Sequence, residues 1–127
     1  EAVRLPNVVC RFHAPSFEEL RTYLDRSRFV LVPYHAASVL SSGILMDSLA
    51  FGAKVVGPDT GSFKDYAREP RLKVYTFRSF DDLAPLLAAH GDEPASMEAY
   101  RDFLTENDWA HFVRRLCRLL EGGRDSC

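Results

Sequence analysis

Three small residues followed by an acid carry the clearest chemical possibility in this sequence. Ser41-Ser42-Gly43 runs into the apolar stretch Ile44-Leu45-Met46, with Asp47 one helical turn beyond Gly43. The start of a helix leaves several backbone N–H groups outside the hydrogen-bond ladder and carries the positive end of the helix dipole, so it attracts anions. Ser41, Ser42, Gly43 and Ile44 would let a phosphate approach the backbone, and the two hydroxyls could add hydrogen bonds. Asp47 could accept hydrogen bonds from vicinal hydroxyls, as acids do with ribose in dinucleotide sites. Diphosphate plus ribose is the specific reading of this spacing. The plainer alternative is that a serine only caps the helix and Asp47 is a solvated acid of its first turn.

The flanks of this stretch decide what would position it. Phe29-Val30-Leu31-Val32 is short, apolar and β-branched and stops at Pro33, which reads as a buried strand. The helix that follows ends at Gly52, a residue suited to the left-handed C′ position. Val55-Val56 then starts a second strand. Strand, loop, helix and strand make a βαβ unit with parallel strands. Around it, Asn7–Phe12 reads as a first strand, and Ser16 with Glu19 as a capping box opening a helix whose inner face is Leu20, Tyr23 and Leu24. Leu72–Tyr75 reads as a further strand and Phe80–His90 as a helix capped by Ser79. Helices over about 95–105 and 108–121 complete the chain. The expected fold is an α/β, open, mostly parallel Rossmann-like sheet of about four strands with flanking helices, one domain over 1–127.

Loops leaving the carboxyl ends of parallel strands line the ligand crevice of such folds. That directs attention to Phe12, His13 and Ala14, to Tyr34 and His35, and to Thr60 and Gly61. Tyr34 could stack on a base or sugar or simply cover a strand end. His35 would need a carboxylate partner to act as a base, and none is evident in the sequence.

Composition narrows the classes. Across 127 residues the hydrophobic share is 46% and the formal net charge is −2, enough apolar material for one core and no basic excess for nucleic acid. Cys10, Cys117 and Cys127 are scattered, without metal-ligand spacing, and read as free thiols. Cys10 in a strand and Cys117 in an amphipathic helix would be buried, in a reducing, cytoplasmic setting. No stretch reaches the length of a membrane span.

The segment from Pro33-Tyr34 through Ser42-Gly43-Ile44-Leu45-Met46-Asp47-Ser48-Leu49-Ala50-Phe51-Gly52 and Val55-Val56 to Asp59-Thr60-Gly61-Ser62-Phe63 resembles the C-terminal donor-binding domain of GT-B retaining glycosyltransferases, of the glycosyl transferases group 1 type. The likeness runs from about Asn7 to Leu120. It implies a nucleoside-diphosphate sugar as donor, with Ser41, Ser42, Gly43 and Ile44 on the diphosphate, Asp47 on the ribose, and Phe12, His13 and Ala14 on the base. Tyr34, His35, Thr60 and Gly61 would contact the sugar or line the crevice.

The implied reaction is transfer of a hexosyl group to an acceptor hydroxyl with retention, in polysaccharide or glycan synthesis, with no bound metal or other cofactor. The family carries two glutamates seven residues apart; Asp47 fills the second position, while the first falls on Val39, which has no carboxylate. The family's donor domain also has two strands and a basic residue ahead of the segment equivalent to Asn7, and a separate acceptor-binding domain. The resemblance therefore implies a fragment inactive in isolation, with that acceptor domain as its partner and an open sheet edge through which copies could associate. It also makes the last helix the family's closing helix, packed across the junction of the two domains.

Two other classes compete. A phosphoacceptor receiver module needs acids ending its first strand, which Arg11-Phe12-His13 does not supply. A non-catalytic nucleotide-binding or scaffolding relative of the same fold is compatible with Val39.

Overall fold

A computed structural model describes residues 6–34 and 42–122 of the chain. His35, Val39, Ser41 and Cys127 lie outside the described residues. The remainder forms an α/β fold built on three parallel strands. Helix α1 spans Phe17–Arg26, strand β1 Val30–Leu31, helix α2 Gly43–Ala50 and strand β2 Val55–Pro58. Helix α3 covers Gly61–Tyr66, strand β3 Val74–Phe77, and a 3-10 turn over Phe80–Asp82 leads into helix α4, Leu83–His90. Helices α5, Met97–Glu106, and α6, Trp109–Gly122, follow.

The sheet order is β1-β2-β3, with Val30 opposite Val55, Leu31 opposite Val56, and Val55 to Pro58 opposite Val74 to Phe77. Central β2 is buried along its whole length, as expected for a parallel strand covered on both faces. The core gathers Val32, Leu45, Leu49, Val55, Phe63, Leu72, Val74, Tyr100 and Phe103. Thus α2, α3 and α5 each commit apolar side chains to one core, and α5 adds a hydrogen bond from the Tyr100 hydroxyl to the Ala53 carbonyl at 3.2 Å.

Local chemistry sets the element ends. The expected capping box is present: Ser16 Oγ accepts from the Glu19 N–H, and Glu19 accepts from the Ser16 N–H. Ser79 and Asp82 form a second box at the turn that opens α4. Gly52 stands at φ +72° after the end of α2, a left-handed position in which a side chain is strained. Lys54, nearly buried, donates from Nζ to the carbonyls of His90, Gly91 and Glu93 at 3.0, 2.6 and 3.0 Å. The ammonium thereby satisfies its three donors and neutralises the negative end of α4, with the Phe29 ring 4.7 Å away.

Three expectations are corrected. The sheet has three strands among the described residues, because Asn7–Phe12 is not a strand. It does not pair with Val30–Val32, and Val8, Val9 and Phe12 are exposed at 50%, 80% and 97%. A β-branched run needs a neighbouring ladder and an apolar cover to become a strand, and this one has neither. Cys10 and Cys117 are exposed rather than buried, since the elements that carry them are not packed into the core. Finally, β1, expected as a buried strand, lies at the edge of the sheet, where Val30 is half-buried and Leu31 exposed. No helix among the described residues is long and apolar enough to cross a membrane.

Candidate functional site

Among the described residues the loops that follow β2 and β3 leave the carboxyl edge of the sheet, and two cavities are lined by strand ends and helix starts there. The smaller, about 270 Å³, is lined by Ser42, Gly43, Met46, Ser62 and Tyr66. It is bounded by the first turns of two helices. At α2, Ser42 is the N-cap; its hydroxyl accepts from the Leu45 N–H at 3.3 Å and its carbonyl from the Met46 N–H at 3.3 Å. These two bonds leave the N–H groups of Gly43 and Ile44 outside the helical ladder. Space beside Gly43 is open: a Cβ there would meet nothing within 4 Å. At α3, Thr60 occupies the N-cap without a side-chain hydrogen bond, and Gly61 sits at φ +51°. The Ser62 hydroxyl is shielded from solvent and has no hydrogen-bond partner among the described residues.

The larger cavity, about 570 Å³, is lined by Pro33 and Tyr34 after β1, Pro58 and Asp59 at the end of β2, and Phe77, Arg78, Ser79 and Phe80 at the end of β3. Its polar pair is Asp59 and Arg78. The Arg78 Nε donates to Asp59 Oδ2 at 3.1 Å, and the Thr76 hydroxyl lies 3.4 Å from Asp59 Oδ1. This guanidinium, aided by the charges of Lys64 and Arg78, holds the Asp59 carboxyl below its ordinary value. Its walls are aromatic. Phe80 stacks on Phe77 with ring centroids 5.5 Å apart, and Tyr34 meets the buried Phe63 edge-on at 6.5 Å.

The residues expected at the site fall into three groups. Ser42 and Gly43 line the smaller cavity and Tyr34 the larger; Thr60 and Gly61 lie on the chain between Asp59 of one and Ser62 of the other. Ile44 and Asp47 are half-buried on α2, and Asp47 follows Gly43 by four positions, on the same side of the helix. Phe12, His13 and Ala14 line neither cavity; His13 instead approaches Glu19 at the start of α1, with Nε2 to Oε1 at 3.7 Å. Ser41 and His35 lie outside the described residues.

Sequence reading did not single out Asp59, Arg78, Phe80, Ser62 or Tyr66. For the first two the signal is the strand register. Pro58 and Phe77 are register partners that end adjacent strands, so the residues that follow them, Asp59 and Arg78, must stand side by side. The Asp59 N–H bond to the Phe77 carbonyl at 2.9 Å continues that ladder by one step.

Chemically, the edge offers two helix starts facing one small cavity and an aromatic cleft with a neutralised ion pair. No group of three or more His, Cys, Asp or Glu residues among those described is placed to hold a metal ion. No protein-family model, curated protein or solved structure matches the chain.

Proposed function

We propose that this chain is the donor-binding part of a glycosyltransferase and that it holds a nucleoside diphosphate at the start of α2. What carries the reading is the capped but open helix start at Ser42 and Gly43, beside a cavity that a second helix start, at Ser62, also borders. The sequence resemblance to GT-B retaining glycosyltransferases supplies the ligand class. In this reading the diphosphate takes the N–H groups of Gly43 and Ile44 and the hydroxyl of Ser42.

Asp47, four residues along α2, grips the ribose. Donors fixed in advance where charge develops are each worth roughly 3–4 kcal/mol toward departure of a diphosphate leaving group. The complete enzyme would pass the glycosyl group to an acceptor hydroxyl with retention, using an acceptor-binding domain beyond these residues. The base falls to the loop at Phe12, His13 and Ala14 only if that loop moves toward the crevice. A second reading, a non-catalytic nucleotide-binding relative, rests on Val39 standing where the family carries its sugar-facing glutamate.

Calorimetric titration with UDP, GDP and ADP tests the binding claim. The expected result is saturable binding of at least one of them, weakened about tenfold or more by Asp47→Ala, since a hydrogen bond to a charged group contributes roughly 1.5–3 kcal/mol. Absence of binding for all three would refute the nucleotide site, and unchanged affinity in Asp47→Ala would refute the ribose role.

A further inference from the structure

The diphosphate and ribose use none of the residues of the larger cleft. Its volume of about 570 Å³ suits a small ligand. Tyr34 follows β1, Asp59 follows β2 and Phe80 follows β3, so the strand order sets the two aromatic rings on either side of the acid. Phe80 rests against the buried Phe77, ring centroids 5.5 Å and planes 28° apart, yet stays 64% exposed. One aromatic face is thereby held in place from behind and presented to a ligand.

Asp59 and Arg78 supply the hydrogen-bonding groups. Among the described residues the Arg78 guanidinium meets Asp59 through Nε alone. Its two terminal nitrogens, on a side chain 85% exposed, keep four N–H donors. Asp59 keeps lone pairs on both oxygens, since its second contact, to the Thr76 hydroxyl, is long at 3.4 Å. Neighbouring polar groups are taken up by the cap: the N–H groups of Arg78 and Ser79 donate to Asp82, and the Ser79 hydroxyl accepts from the Asp81 N–H.

Guanidinium and carboxylate neutralise each other, so the pair favours neither an anion nor a cation. A donor beside an acceptor matches two neighbouring hydroxyls, one accepting from Arg78 and the other donating to Asp59. A pyranose joins such hydroxyls to an apolar face, whose C–H groups pack on the negative face of an aromatic ring.

We propose that this cleft is a sugar subsite that holds one neutral hexose unit of a glycan chain, stacked on Phe80 and hydrogen-bonded by Asp59 and Arg78. The role of that sugar rests on the glycosyltransferase reading and deepens it: the acceptor is itself a glycan. The cleft holds a unit remote from the reacting hydroxyl, which stays with the acceptor-binding domain.

An amide- and side-chain-resolved NMR titration of the whole protein tests this, with maltotriose, cellotriose and mannotriose as neutral chains of hexose units. Separate titrations use UDP, GDP and ADP. The expected result is saturable binding of at least one trisaccharide, with the largest shifts on Phe80 and on the backbone and guanidinium N–H groups of Arg78. Phe80→Ala and Arg78→Ala, both at exposed positions and checked for fold by circular dichroism, each weaken that binding about tenfold and leave nucleotide affinity unchanged. Four results would overturn the proposal: no trisaccharide binding, shifts centred away from Arg78 and Phe80, unchanged trisaccharide affinity in either variant, or a nucleotide whose main shifts fall on Phe80 and Arg78. The two failures are distinguishable: trisaccharide binding without nucleotide binding removes the nucleotide site alone, and nucleotide binding without trisaccharide binding removes the sugar subsite alone.

Discussion

The ring of Phe63 occupies the place where a side chain on Gly57 would stand. A Cβ at Gly57 would fall 2.2 Å from Cδ1 of Phe63 and 2.5 Å from its Cε1. Phe63 is fully buried and cannot swing out, so this contact fixes the height at which α3 sits over β2. The position of the α3 start, and with it Thr60, Gly61 and Ser62, follows from one missing side chain.

Gly57→Ala should therefore destabilise the fold by about 1–3 kcal/mol through overpacking. Urea unfolding of Gly57→Ala, Phe63→Leu and the double variant measures it. The smaller ring-free side chain in Phe63→Leu should relieve the clash, so the double variant loses less than the sum of the two single losses. Strict additivity would show that the contact does not set the packing.

A second prediction concerns acid. Glu93 ties α4 to β3 and the residue before it: its carboxylate lies 2.5 Å from His90 Nδ1 and accepts from the Tyr75 hydroxyl at 2.9 Å and the Lys73 ammonium at 3.1 Å. These partners, His90 foremost, hold the Glu93 carboxyl at about 2, below its ordinary 4.5. A folded-state value below the unfolded one means that the folded chain binds fewer protons in between. The stabilisation is therefore complete above about pH 4.5 and disappears as pH falls toward 2. Glu93→Gln should be less stable than the wild type at neutral pH, and the gap should close across that acid window. Urea midpoints measured between about pH 6 and pH 2 read this directly; a gap that stays constant would show that the Glu93 contacts contribute nothing pH-dependent.

Much of this architecture was written locally. Caps at Ser16, Ser42 and Ser79, the left-handed Gly52 and the buried run of β2 all follow from chemistry within a few residues. What depended on a neighbour was not legible. Val8–Phe12 has a strand's composition without a ladder to join. The face of α6 has the periodicity of a packed helix, and periodicity states that a face is apolar without stating what covers it. Nothing beside Lys54 in the sequence announces its partners, and only the fold brings three carbonyls of α4 and its exit loop to its ammonium. At the candidate site, Ser42 and Gly43 were visible from local spacing. Asp59 and Arg78 required the strand register, and Ser62 required the packing of α3 on β2.

The central claim is that a nucleoside diphosphate sits on the N–H groups that open α2. An amide-resolved NMR titration of the whole protein with UDP, GDP and ADP examines those groups one by one. The account predicts that the largest saturable shifts fall on Gly43 and Ile44, with Ser62 following at the same ligand concentrations. Shifts centred elsewhere on the sheet, with Gly43 and Ile44 unmoved at saturation, would contradict it.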